Sequence, residues 1–192
     1  MLPGRQQASE KHECHPTIPA SLCPRAIRFG LLPPPFGILP IHGEQRQAGM
    51  IWFKPTTLDE LKERMAARPG LSSHLGIEFT ELGPDSLSGR MPVDARTHQP
   101  YGLLHGGASC VLAETLGSVA GGLTLDRNVS RVVGLEINAN HIKAVSRGFV
   151  VGTARPLHVG KSTHVWEIRI ETEDSRALVC VSRLTLAVVR AK

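Results

Sequence analysis

From residue 57 onward the apolar positions fall into blocks of recognisable period. Thr57 precedes Leu58-Asp59-Glu60-Leu61-Lys62-Glu63-Arg64-Met65, with Glu60 three residues after the threonine. This is a capping box followed by a short amphipathic stripe, and it predicts a helix stopped by Pro69-Gly70. Residues 76–82 alternate weakly and break at Gly83-Pro84-Asp85, and residues 86–93 read as a second strand, so the two predict a hairpin. Residues 106–123 are small and apolar over a helical length. Four strand-like runs follow, at 131–142, 148–157, 163–172 and 177–189. In the third, Val165, Glu167, Arg169 and Glu171 oppose Trp166, Ile168 and Ile170, the period of a strand with two unlike faces. No helical block separates these runs, so their sheet is antiparallel. The predicted fold class is α+β, one long antiparallel sheet wrapped around a central helix.

Residues 1–49 carry no such pattern. They hold eight of the fourteen prolines, and a stretch without a burial pattern cannot offset its ordering entropy. They are expected to be a disordered extension, or sequence upstream of a misassigned start with Met50 the initiator; a Pro-rich docking segment is the functional alternative. Residues 50–192 are then the folded domain, long enough to bury roughly 70% of its unfolded surface.

Composition narrows the classes further. Neither a Gly-X-Y period nor sustained heptads appear among the 192 residues, and no apolar run reaches the roughly 18–20 residues of a membrane helix. The charge of +5 comes from 22 basic and 17 acidic residues that are scattered. It therefore suits solubility or the phosphates of a small ligand better than nucleic acid. His12, Cys14 and His15 sit close together, but no second ligand pair with zinc spacing follows, so no metal is expected. The apolar stretch 26–39 contains Arg28 and Pro33-Pro34-Pro35, which no signal-peptide helix tolerates. The expected location is cytoplasmic, with reduced thiols.

Glu114 is the one charge in the helical block 106–123. A buried carboxylate costs several kcal/mol unless it is paired or hydrogen-bonded. A structural carboxylate satisfied by backbone or arginine is the bland explanation. Two neighbours favour chemistry instead. Ser118 lies four residues on, on the same face, and His105-Gly106-Gly107 opens the helix, where free N–H groups and the macrodipole favour an anion or a developing oxyanion. Gly106 and Glu114 are eight residues apart, about 12 Å along a helix. They reach one carbonyl only if they come from different chains, with two such helices antiparallel across a two-fold axis. Catalysis by this pair requires a homodimer.

Three segments carry a resemblance: Gln99-Pro100-Tyr101-Gly102-Leu103-Leu104-His105-Gly106-Gly107-Ala108, Leu112-Ala113-Glu114, and Val133-Gly134-Leu135-Glu136-Ile137-Asn138-Ala139-Asn140-His141. Together they resemble the hotdog-fold acyl-CoA thioesterases, in the branch that contains the 1,4-dihydroxy-2-naphthoyl-CoA thioesterase of menaquinone synthesis and its enterobactin-proofreading relative. The likeness runs from Met50 to about Val189. It implies that Glu114 is the catalytic carboxylate and Gly106 the oxyanion donor, with Gln99 and His105 orienting the thioester or the attacking water. Ser118 would line the acyl pocket. Gly134, the segment His141-Ile142-Lys143-Ala144 and the loop His158-Val159-Gly160-Lys161-Ser162-Thr163 would hold coenzyme A. Lys143 and Lys161 are also plain candidates for phosphate contacts; the family pattern leads one to expect Arg at position 143, and Lys there gives a point charge instead of a bidentate contact. Phe79 and Val111 are candidates for an aromatic acyl lining. The resemblance further implies a dimer of dimers, with coenzyme A part of the substrate and no separate cofactor.

The sequence leaves Glu114 open as general base or as a nucleophile giving a mixed anhydride. Two other activities remain as alternatives. A hotdog hydratase or dehydratase would carry His-Pro near the helix, and here Gly follows His105. A non-hydrolysing acyl-CoA sensor would need a DNA-binding helix-turn-helix, which residues 1–49 are too proline-rich to supply.

Overall fold

Thr57 starts the first helix by the reciprocal bonds that its spacing from Glu60 predicts. Its hydroxyl accepts from the Glu60 N–H at 3.2 Å, and the Glu60 carboxylate accepts from the Thr57 N–H at 3.1 Å. Helix α1 (Leu58–Ala66) follows, with Leu61 buried. The computed structural model describes residues 49–191. The expectations for the N-terminal extension and for His12, Cys14 and His15 therefore lie outside the described residues. After Gly70 a single extra turn, α2 (Leu71–His74), precedes the sheet; four residues are too few for a helical period to be read from sequence.

The strands are β1 (Glu78–Leu82), β2 (Leu87–Pro92), β3 (Ser130–His141), β4 (Phe149–Val159), β5 (Thr163–Thr172) and β6 (Leu178–Arg190), with α3 (Gly106–Leu123) between β2 and β3. They form one sheet in the order β1-β2-β4-β5-β6-β3, every neighbour antiparallel. The α+β expectation holds, and α3 and β5 have the predicted bounds. The long apolar runs specify this because each alternates one face toward α3.

Glycines set how closely α3 lies on the sheet. Gly89 and Gly152 are register partners on β2 and β4. Methyls built on them would come within 3.0 Å and 2.8 Å of the Leu116 side chain. The paired glycines thus leave a hole in the sheet that Leu116 fills, fully buried. On the helix side, Gly117 and Gly121 face Leu184 and Leu186 of β6, where an added methyl would approach to 2.6 Å in each case. A side chain buried to this degree contributes about 1.5–3 kcal/mol, so the seam anchors the fold.

The sheet covers one face of α3 and leaves the other open. Leu112, Ala113, Leu116 and Ala120 are fully buried against the sheet, whereas Cys110, Val111, Glu114, Thr115, Ser118 and Val119 are only half-buried. One sheet covers one face of a helix. The small residues Ala113, Gly117, Ala120 and Gly121, expected to let two helices approach, instead face the sheet, and the opposite face of α3 carries the half-buried set.

The segment before α1 is stitched to this core. The Ile51 N–H donates to the Pro84 carbonyl at 3.0 Å, the Phe53 N–H to the Leu123 carbonyl at 2.8 Å, and the Trp52 indole N–H to the Gly83 carbonyl at 2.8 Å. On β5, His164 is fully buried, and neither its ring nitrogens nor the Trp166 indole N–H has a hydrogen-bond partner among the described residues. Burial pushes the His164 pKa below its ordinary value. No helix of the described residues is long and apolar enough to cross a membrane.

Candidate active site

The carboxylate of Glu114 is held between its own helix and the edge strand. The Ser118 hydroxyl donates to Glu114 Oε1 at 3.0 Å, the i to i+4 contact that helical spacing predicts. Across from it lies Gly134 of β3, where a methyl group would stand 2.8 Å from Oε1. Gly134 therefore touches the carboxylate, a role that its expected place in the coenzyme A site does not capture. Ser118 is a positioning partner of Glu114.

The start of α3 forms a second cluster. The His105 ring accepts the Gly107 N–H on Nδ1 at 2.8 Å, which makes His105 the cap of α3 and leaves Nε2 for a ligand. The Gly106 N–H donates to no described residue, and the His141 ring packs on Gly106, where a methyl would meet Nε2 at 2.7 Å. Gln99 is fixed to the same end. Its backbone N–H donates to the Leu103 carbonyl at 2.8 Å, its side-chain oxygen accepts the Tyr101 N–H, and its amide NH₂ remains available. This loop is tied to the β3–β4 connection by the Leu104 N–H, which donates to the Val145 carbonyl at 2.7 Å.

Strand register separates the expected coenzyme A residues into the same two groups. His141 pairs with Cys180 on β6, whereas Thr163 pairs with Ala187, the partner also of Val133. Ala187 is seven residues along β6 from Cys180, about 23 Å at ~3.3 Å per residue. Ile142, Lys143 and Ala144 continue from His141 toward the start of α3, with Lys143 and Ala144 lining a shallow cavity of about 380 Å³. His158 and Val159 end β4, and Gly160, Lys161 and Ser162 turn into Thr163, with the Gly160 N–H donating to the Thr163 carbonyl at 2.9 Å. That turn lies at the Gly134 end. One chain thus separates the expected site residues into two clusters, one with Gln99, His105, Gly106 and His141–Ala144, the other with Glu114, Ser118, Gly134 and the 158–163 turn.

A feature not legible in the sequence lies along the Thr115, Val119 and Leu123 side of α3. A cavity of about 540 Å³ is walled by Thr115 and Val119 of α3, by Phe79, and by residues of α1 and α2. Phe79, also part of the core, lines it, and Val111 does not. Ser72 Oγ of α2 lies 3.2 Å from Thr115 Oγ1. The two serines after Gly70 were the available signal, and no period marked them. Among the described residues no group of three His, Cys, Asp or Glu side chains is placed to hold a metal.

The chain is similar to known thioesterases. The Thioesterase superfamily profile matches residues 101–179, which span the loop before α3 through the start of β6. The chain is 54% identical over 140 residues to the proofreading thioesterase EntH of Cronobacter turicensis, covering 73% of this chain and 99% of the relative. A crystal structure of a thioesterase from Haemophilus influenzae superposes with a TM-score of 0.69 at 48% identity, covering 73% of this chain and 96% of that one. A mutant thioesterase from Pseudomonas aeruginosa gives 0.70 at 45% identity, with 73% and 99% covered.

Proposed function

This chain belongs to the thioesterase superfamily with the hotdog fold and is a thioester hydrolase, and from that premise we propose that it hydrolyses an aryl-CoA such as 1,4-dihydroxy-2-naphthoyl-CoA, within a menaquinone-type pathway in the cytoplasm. The observation that carries the reading is the Glu114 carboxylate, fixed by Ser118 on the open face of α3. The next residue, Thr115, helps wall a largely apolar cavity of about 540 Å³, within the size range of small-molecule pockets.

In this reading Glu114 takes a proton from water as the water oxygen attacks the thioester carbonyl carbon. Alternatively its oxygen attacks directly, giving a mixed anhydride that water then cleaves. Either way the carbonyl oxygen becomes an oxyanion, the C–S bond breaks, and the thiolate leaves and is protonated. The free Gly106 N–H of a partner subunit would stabilise that oxyanion, a contribution of about 3–4 kcal/mol for one preorganised donor. The Gln99 NH₂ and His105 Nε2 would orient the thioester or the water. Lys143 and Lys161, with their flanking segments, would take the phosphates of coenzyme A from two subunits. No further cofactor enters. A homodimer is the minimum active unit and a dimer of dimers the expected assembly. β3 supports this: it is an edge strand with Val133 and Leu135 exposed, the surface that edge-to-edge pairing would cover.

The test is the hydrolysis rate of benzoyl-CoA and 1,4-dihydroxy-2-naphthoyl-CoA by the wild type and by Glu114→Ala. A fall of about 10³-fold is expected; equal rates would remove Glu114 from the chemistry. A second reading draws on the name of the Cronobacter turicensis relative, a proofreading thioesterase. Here the substrate would be an aryl group misloaded on a carrier protein. Faster release from an aryl carrier-protein thioester than from the matching CoA ester would favour it.

A further inference from the structure

The cavity beside α3 is apolar along its length and cationic at one end. At one end its wall is Thr115, the residue after Glu114, hydrogen-bonded to Ser72. At the far end Leu123 closes α3 and Arg64 and Arg127 join the wall. The same three residues also border a smaller cavity of about 220 Å³ beyond the helix end, which places both guanidinium-bearing residues together there. Arg127 lies over Gly122, where a methyl would sit 3.9 Å from Nη2. Arg68 adds a third cation to the larger cavity. None of the three makes an ion pair among the described residues. Asp126, a carboxylate bordering the smaller cavity, accepts the Asn128 N–H at 3.0 Å.

Helix C-termini attract cations, which explains each arginine singly. It does not explain why three arginines, Arg64 half-buried and Arg68 and Arg127 exposed, line one largely apolar cavity, where an anion would meet their summed positive field. From Thr115 to Leu123 the cavity follows α3 for about 12 Å. An acyl group whose thioester stands at Glu114 therefore has its body along Phe79 and Val119 and its far end beside the arginines. We infer that the preferred acyl group bears a carboxylate on the end remote from the thioester, bound by Arg64 and Arg127. This rests on the aryl-CoA reading and narrows it.

A matched pair of esters tests it: 2-naphthoyl-CoA and 6-carboxy-2-naphthoyl-CoA. The wild type should prefer the carboxylated ester about tenfold in kcat/KM, mostly through KM, as one charge-assisted contact implies. That preference should shrink as salt is added. In the Arg64→Gln/Arg127→Gln double variant, shown folded by its circular dichroism melt, the ratio should collapse toward one, and Arg127→Lys should restore part of it. Equal hydrolysis of both esters by the wild type overturns the carboxylate inference and leaves the aryl-CoA reading standing, as does a preference that survives in the double variant. Hydrolysis of neither ester overturns the aryl-CoA reading, and this inference with it.

Discussion

Replacing Gly134 by alanine separates two roles for that residue. A methyl there would stand 2.8 Å from Glu114 Oε1, whereas ordinary contacts begin near 3.4 Å, so the carboxylate must retreat by about 0.6 Å. The oxygen it displaces is the one that accepts the Ser118 hydroxyl, and the shift disturbs that bond as well. A misplacement of 1 Å can cost about 100-fold in rate, so roughly half that distance predicts a loss of about tenfold in kcat. The backbone at Gly134 is not left-handed, and alanine fits the strand without strain. The melting temperature should therefore stay within a few degrees of the wild type. Steady-state kcat and KM for benzoyl-CoA, beside a thermal melt, make the measurement. A raised KM with intact kcat would instead mean that Gly134 serves coenzyme A alone, and the argument from its contact with Glu114 would be refuted.

Two further predictions follow from the same geometry. Mixing refolded Glu114→Ala and Gln99→Ala subunits should regain activity that neither homodimer has, because a hybrid holds one intact pair of half-sites; activity no greater than the sum of the parents would refute the shared site. His164 is buried with its pKa depressed below 6.5, so the unfolded chain binds a proton that the folded chain refuses. The stability present above about pH 6.5 should therefore be lost as pH falls, by up to ~1.4 kcal/mol per pH unit. Chemical denaturation between pH 5 and 8 should show a shallower slope in His164→Phe than in the wild type, and identical slopes would clear His164 of the effect.

The elements themselves were readable because each long run satisfies one period. The 18 residues of α3 are bounded by a capping histidine with two glycines and by the chain's return to polar residues after Leu123. β5 alternates through all ten of its residues. What failed was local or non-local in a way that period does not encode. α2 is one turn long. His105 carries one ring with two nitrogens, and the sequence does not say that Nδ1 is taken by the Gly107 N–H. Gly134 reads as a small residue in a strand, and only the fold sets it against Glu114.

The separation of the two coenzyme A segments is the deeper case. Residues 141–144 and 158–163 lie close in sequence, and both fit a ligand with several phosphates. Which end of the sheet each occupies depends on how β3 and β5 register on β6, and that register is set by the burial of Cys180, Leu184 and Leu186 under α3. The same packing places Gly106 beside His141 and Glu114 beside Gly134. The two pairs of residues proposed for the thioester and for the nucleotide are thus split along the same axis of a single chain. A two-fold axis that turns one chain end for end would join both pairs at once, and no rearrangement within one subunit joins either while β6 keeps its register.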